Sequence, residues 1–286
     1  MEAALQVTDL TKTYPGFKLD HVSFTLPQGA VMGLIGENGA GKSTTIKAIL
    51  DLIRKEDGTV TFWGRKLSES KQLKEDIGVV FDQGSFYETL TPAQIGSISA
   101  AAYTQWGQSV YEGYLTRFQL PKDKPLKSFS KGMRTKLSIA VALSHHPKLL
   151  ILDEATSGLD PVVREDILDV FWEFVQDERH SILMSSHITS DLEKIADCIT
   201  FLHQGKLLFC KPKDELRYQY GVLRCGEAQF KRLDSSEILA YRKEPCQIDV
   251  LVADKEAARR RHPDMVVDDA TLDDILLLYV KGERVK

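Results

Sequence analysis

The sequence predicts an α/β fold: a mostly parallel sheet carrying a phosphate-binding loop, an antiparallel β layer beside it, a helical subdomain and a small C-terminal extension. Three observations predict it. The apolar run 30–35 leads straight into Gly36-Glu37-Asn38-Gly39-Ala40-Gly41-Lys42-Ser43-Thr44, a complete G-x-x-x-x-G-K-[ST] pattern, and residues 44–50 continue as a helix. A second apolar run, 149–152, ends in the carboxylates Asp153 and Glu154, the pattern of a buried parallel strand whose C-terminal end opens on a ligand crevice. Third, short strand-like runs precede residue 82, helical patterns fill 84–146, and strand-helix-strand returns over 147–209.

The elements follow in order. Residues 6–10, 22–26 and 59–63 read as strands of the antiparallel layer. Within the loop, Gly36, Gly39 and Gly41 let the backbone aim successive N–H groups at phosphate oxygens, and the helix from Lys42 adds the positive end of its dipole. Lys42 is placed to reach the β and γ phosphates and Ser43 to ligate Mg²⁺; Asn38, Ala40 and Thr44 complete the cradle. The pattern resembles the core of a P-loop NTPase. The helical region opens at Thr91-Pro92-Ala93-Gln94, a capping box with proline at the first helical position, and its helix runs toward Tyr103. Residues 128–134 then lead into an amphipathic helix over 135–143 with Ser130 as N-cap. The Ser130 hydroxyl and the Gly132 N–H make a second anion site at that helix start, and one loop cannot surround all of a triphosphate.

After the strand at 149–152, Asp153 is expected to hold Mg²⁺ and Glu154 to orient or deprotonate the attacking water. Residues 199–209 read as a hairpin turning at Gln204-Gly205. The first domain is expected to span 1–211, with the helical subdomain at about 84–146. Residues 212–286 form the extension, with a strand-like run at 246–252 and a last helix whose start is marked by Thr271 and Asp274. It is too hydrophobic in places for disorder; simple packing, on the core or on a second copy, is expected rather than a ligand-binding regulatory role.

Composition narrows the function classes. With 286 residues, 43% hydrophobic and 27% charged, the chain can bury a large core. A net charge of −4 gives no basic footprint, so no nucleic acid is expected. The run Arg259-Arg260-Arg261-His262 sits among Glu256, Asp264, Asp268 and Asp269 and reads as a solvated helix face. No apolar stretch approaches the ~20 residues of a membrane span, and the first residues lack a signal peptide's pattern. Cys198, Cys210, Cys225 and Cys246 have no Cys-x-x-Cys spacing, which fits the cytosol.

Over residues 1 to about 210 the chain resembles the ATP-binding subunits of ABC transporters, with every motif in the expected order. The resemblance makes residues 128–134 the signature motif, whose Ser130 and Gly132 contact the γ phosphate bound to the opposite subunit. It makes Tyr14 the aromatic residue that stacks on adenine, Asp160 the aspartate of the loop 157–160 that crosses a dimer interface, and His187 the switch histidine at the γ phosphate. Glu154, His187 and Lys42 would be the catalytic set. Two departures stand out: either Asp82 or Gln83 fills the glutamine-loop position beside Mg²⁺ or the water, and Lys131 and Met133 replace the usual glycine and glutamine of the signature. The form Phe-Ser-Lys-Gly-Met resembles stand-alone subunits of bacterial ABC-2 type exporters. The resemblance implies ATP and Mg²⁺ as cofactors and head-to-tail pairing with a second ATP-binding subunit, either another copy or a related chain. It also implies a separate membrane permease and a cytoplasmic position, peripheral at the inner face of the cell membrane. The rivals are an importer ATPase, a soluble ABC-type ATPase acting on ribosome or DNA, and a cassette that binds ATP without hydrolysis. One cassette with no coiled-coil insertion disfavours the ribosomal and DNA-repair classes, and Glu154 with His187 disfavours the inactive one.

Overall fold

Alternation of apolar and polar residues builds the first layer. In the computed structural model, which describes residues 2–82 and 86–284, β1 (Ala3–Tyr14) and β2 (Phe17–Pro27) pair antiparallel, with Leu5 opposite Leu26, Val7 opposite Phe24 and Leu10 opposite Val22. All six of these side chains are buried. The register slips between Val7 and Leu10, where Asp9 takes φ 51; an aspartate tolerates the left-handed region better than a β-branched neighbour would. β3 (Val31–Ile35) is buried throughout and feeds the phosphate loop, which gives way to α1 (Lys42–Ile49). β4 (Asp57–Phe62) completes the antiparallel sheet in the order β2-β1-β4, and Trp63, expected within that strand, lies beyond it at φ 46.

The short α2 (Lys71–Glu75) precedes β5 (Ile77–Phe81). The helical region follows as α3 (Pro92–Ala102), α4 (Gln108–Arg117) and α5 (Lys131–Ser144). Thr91 and Gln94 form the expected reciprocal box, Gln94 N–H to Thr91 Oγ1 at 3.3 Å and Thr91 N–H to Gln94 Oε1 at 3.0 Å. Gly96 lets the α3–α4 pair close up, since a Cβ there would lie 2.6 Å from the Tyr111 ring. The buried Tyr111 hydroxyl donates to Pro92 O at 2.8 Å.

β6 (Leu149–Asp153), α6 (Pro161–Phe174), β7 (Ser181–Ser186), α7 (Thr189–Ile195), β8 (Cys198–His203) and β9 (Lys206–Pro212) complete a six-stranded sheet ordered β5-β6-β7-β3-β8-β9. The first five strands of that order are parallel, and their register sets Phe81 beside Asp153, Asp153 beside Ser185 and Ile35 beside Ser186. The loops after β3, β5, β6 and β7 therefore leave the sheet at one edge, where ligands of parallel sheets bind. At the β8–β9 turn, Gln204 and Gly205 take φ 47 and 77, as a two-residue hairpin requires.

The chain divides into two compact units, Met1–Cys210 and Lys211–Lys286. The second contains α8 (Lys213–Gln219), β10 (Gly221–Cys225), α9 (Glu227–Phe230), β11 (Ala240–Lys243), β12 (Ile248–Val252), α10 (Lys255–Arg261), β13 (Val266–Asp269) and α11 (Leu272–Lys281). Its antiparallel sheet runs β11-β12-β10-β13 over a core that includes Leu223, Val250 and Val267. Thr271 and Asp274 cap α11 reciprocally, at 3.1 and 3.0 Å. The reading of 259–262 as a solvated helix face fits Arg259, Arg260 and Arg261, which are exposed on α10, while His262 just past the helix is buried. Arg259 donates to Val267 O at 3.0 Å and to Asp269 at 3.0 Å, while Arg261 and the buried His262 hold Glu237 at 2.6 and 2.8 Å. These residues tie α10 to the strand and turn beside it. Among the described residues no helix is long and apolar enough to cross a membrane.

Candidate nucleotide site

The phosphate loop owes its path to glycine. A Cβ at Gly36 would lie 2.3 Å from Leu202 O, and Gly41, at the N-terminus of α1 with φ 111, would place one 2.9 Å from the Phe17 ring. No side chain caps α1 and its first turn carries no acid, so its leading N–H groups are open to an anion. Ala40 is buried, and its carbonyl accepts from Gly205 N–H at 3.0 Å. This bond ties the loop to the β8–β9 turn.

Three side chains meet beyond the strand ends. Lys42, only 6% exposed, donates to Gly36 O at 2.7 Å and pairs with Glu154 Oε1 at 3.1 Å. Glu154 Oε2 in turn accepts from His187 Nδ1 at 2.6 Å. One carboxylate thus bridges the lysine of the loop and the histidine after β7. Its backbone stands at φ 54, and its N–H reaches Ser185 O and Oγ at 3.2 and 3.1 Å. A non-glycine residue in this region costs about 1–3 kcal/mol and persists only where its surroundings hold it. Here the Ser185 bonds hold it, and the turn aims the carboxylate over the loop.

Asp153, the last residue of β6, is buried and accepts on Oδ1 from both Ser43 Oγ at 3.0 Å and Ser185 Oγ at 2.7 Å. A serine hydroxyl and a carboxylate oxygen at this spacing suit Mg²⁺, which takes oxygen ligands and completes its shell with phosphates and water rather than with a full protein cage. Among the described residues no group of three or more His, Cys, Asp or Glu could hold a metal alone. The sequence reading does not single out Ser185. Its only trace there is the pair Ser185-Ser186 that closes the apolar run 182–184 of β7, and the register beside Asp153 gives Ser185 a task.

These groups line a cleft of about 530 Å³, formed by Glu37, Asn38, Gly39 and residues 41–44 of the loop together with Phe17, Asp82, Glu154, Ser157 and His187. The structure thus brings the phosphate-loop residues, Asp82, Glu154 and His187 to one place, with Asp153 directly behind Ser43. It distributes the others differently. Tyr14 is 39% exposed with the Lys12 ammonium 5.2 Å from its ring centre, and among the residues lining the cleft the aromatic face comes from Phe17. Ser130 Oγ accepts from Met133 N–H at 3.3 Å as the N-cap of α5, and neither it nor Gly132 lines this cleft. Asp160 Oδ1 accepts from the N–H groups of Val162 and Val163 at 3.2 and 3.0 Å, capping α6. Asp82 Oδ1 accepts from Lys131 Nζ at 2.7 Å. Gln83 lies outside the described residues.

Comparison with known proteins agrees with this geometry. The family described as ABC transporter matches residues 19–157. The bacitracin transport ATP-binding protein BcrA of Bacillus licheniformis is 35% identical over 221 residues, 76% of this chain and 72% of the relative. The lantibiotic transport ATP-binding protein SrtF of Streptococcus pyogenes is 35% identical over 213 residues, 73% of this chain and 91% of the relative. Among solved structures, an ATP-binding subunit of an ABC transporter superposes with a TM-score of 0.67 at 31% identity, over 75% of this chain and 92% of that one.

Proposed function

This chain belongs to the ABC transporter family of ATP-binding proteins, and from that premise we propose that it is the ATP-hydrolysing subunit of an exporter whose membrane permease is a separate chain. The observation that carries the ATPase reading is the bridge Lys42–Glu154–His187 over the phosphate loop, beside the Ser43–Asp153 pair. Lys42 exchanges its carbonyl and carboxylate partners for the β and γ phosphates as a triphosphate enters. Glu154 accepts the proton of the attacking water at its carboxylate, and His187 fixes that carboxylate's orientation. Ser43 and Asp153 would hold Mg²⁺, which supplies charge neutralisation at the phosphates. Asp82 lines the same cleft, and either it or Gln83 would fill the glutamine-loop role.

Export rests on the relatives, named for bacitracin and lantibiotic transport, and on the Phe129-Ser130-Lys131-Gly132-Met133 form of the signature. Pairing rests on geometry: the Ser130-capped start of α5, with Gly132 in its first turn, does not line the chain's own cleft, so in this reading it serves a triphosphate held by a second copy or a related subunit. In this reading residues 1–211 are the nucleotide-binding domain and 212–286 the extension. Tyr14 and Phe17 offer the base its aromatic surface, and the chain works at the inner face of the cell membrane. The test is phosphate release by the purified chain with ATP and Mg²⁺. Turnover that needs the metal and disappears in Lys42→Ala supports the proposal; turnover that survives Lys42→Ala overturns it.

A further inference from the structure

Lys131 and Asp82 are 49 positions apart in the sequence, and the fold joins them at 2.7 Å. Asp82 lies on the wall of the cleft, whose other carboxylates are Glu37 and Glu154 and whose one lysine, among the described lining residues, is Lys42. An anionic substrate entering this space meets three carboxylates and a single built-in ammonium. Glu154 is neutralised by Lys42 and Glu37 faces His203 Nδ1 at 3.0 Å, so Asp82 depends on Lys131. The ammonium also lies near Gly158, where a Cβ would be 3.4 Å from it, so Lys131, the first residue of α5, sits between the Asp82 strand end and the loop before Asp160.

We propose that Lys131 is a positioning residue for nucleotide binding: it neutralises Asp82 and holds that carboxylate at the cleft wall, so that a triphosphate is not repelled there. The inference rests on the reading of the cleft as the ATP site. Both partners are nearly half exposed, 48% and 42%, and pairs of this kind are weak and screened by salt. The expected effect is accordingly modest, about two- to fivefold in KM.

The experiment is a cycle on the full chain, measuring kcat and KM for Mg-ATP hydrolysis in Lys131→Met, Lys131→Arg, Asp82→Asn and the double variant that combines Asp82→Asn with Lys131→Met. Lys131→Met should raise KM about two- to fivefold, with a smaller change in kcat, when Asp82 is present. It should leave KM unmoved on the Asp82→Asn background. Lys131→Arg should keep the parent KM, and high salt should shrink the Lys131→Met effect. An equal rise on the parent and the Asp82→Asn backgrounds would mean that Lys131 touches nucleotide itself, and no rise on either would mean that the pair is inert; each overturns the inference while the ATPase reading stands. A parent chain that neither binds nor hydrolyses Mg-ATP would remove the reading and the inference together.

Discussion

Glu154 combines a left-handed backbone with a carboxylate shared between Lys42 and His187, and its chemistry can be separated from its packing. Glu154→Gln keeps size and hydrogen bonding but removes the base, so phosphate release should slow about 10²- to 10⁴-fold with little change in ATP affinity. Asp153→Asn should weaken Mg²⁺-dependent binding as well as turnover, because it takes charge from the metal's surroundings. Nucleotide binding and steady-state phosphate release measured side by side decide; near-parent turnover in Glu154→Gln would remove its role as base. The spacing of the phosphate loop, and of Asp153 and Glu154 after an apolar run, is legible in the sequence because each motif is continuous. Ser185 and the Lys131–Asp82 pair are not, since strand register and the packing of distant loops create them. Tyr14 shows the reverse case: its position suggests the base-stacking aromatic, while the ring in the cleft wall belongs to Phe17, three residues on across the β1–β2 turn.

At the level of elements, helix starts are the most readable feature because capping is local chemistry. Thr91, Ser130 and Thr271 each accept the N–H that their spacing promises. In the C-terminal unit the final helix and one strand are readable, but β10 and β13 are not: their short runs acquire strand character from pairing with each other. Asp160 is a further case of local capping chemistry. Its carboxylate caps α6, so Asp160→Ala should cost about 1 kcal/mol of stability, while Asp160→Asn keeps the acceptor and most of the stability. Thermal unfolding of the two variants distinguishes them, and equal destabilisation would show that the cap is not what the residue contributes. If Asp160→Asn keeps the parent melting temperature and loses turnover, the carboxylate has work beyond the cap.

For the whole molecule, the parallel register of β5, β6, β7 and β3 delivers the loop, Asp82, Glu154 and His187 to a single edge. The Ser130 helix start remains outside that cleft, and this division is the reason to expect two copies, or two related subunits, around each triphosphate. In that reading ATP drives association, which requires that it bind the paired state better than the single one. The most direct measurement is sedimentation of the Glu154→Gln chain with and without Mg-ATP. A shift from the 32.2 kDa species to twice that mass with nucleotide, lost on adding Ser130→Arg while ATP still binds, is the expected result. Nucleotide-induced dimers that persist in the Ser130→Arg variant would contradict the shared site.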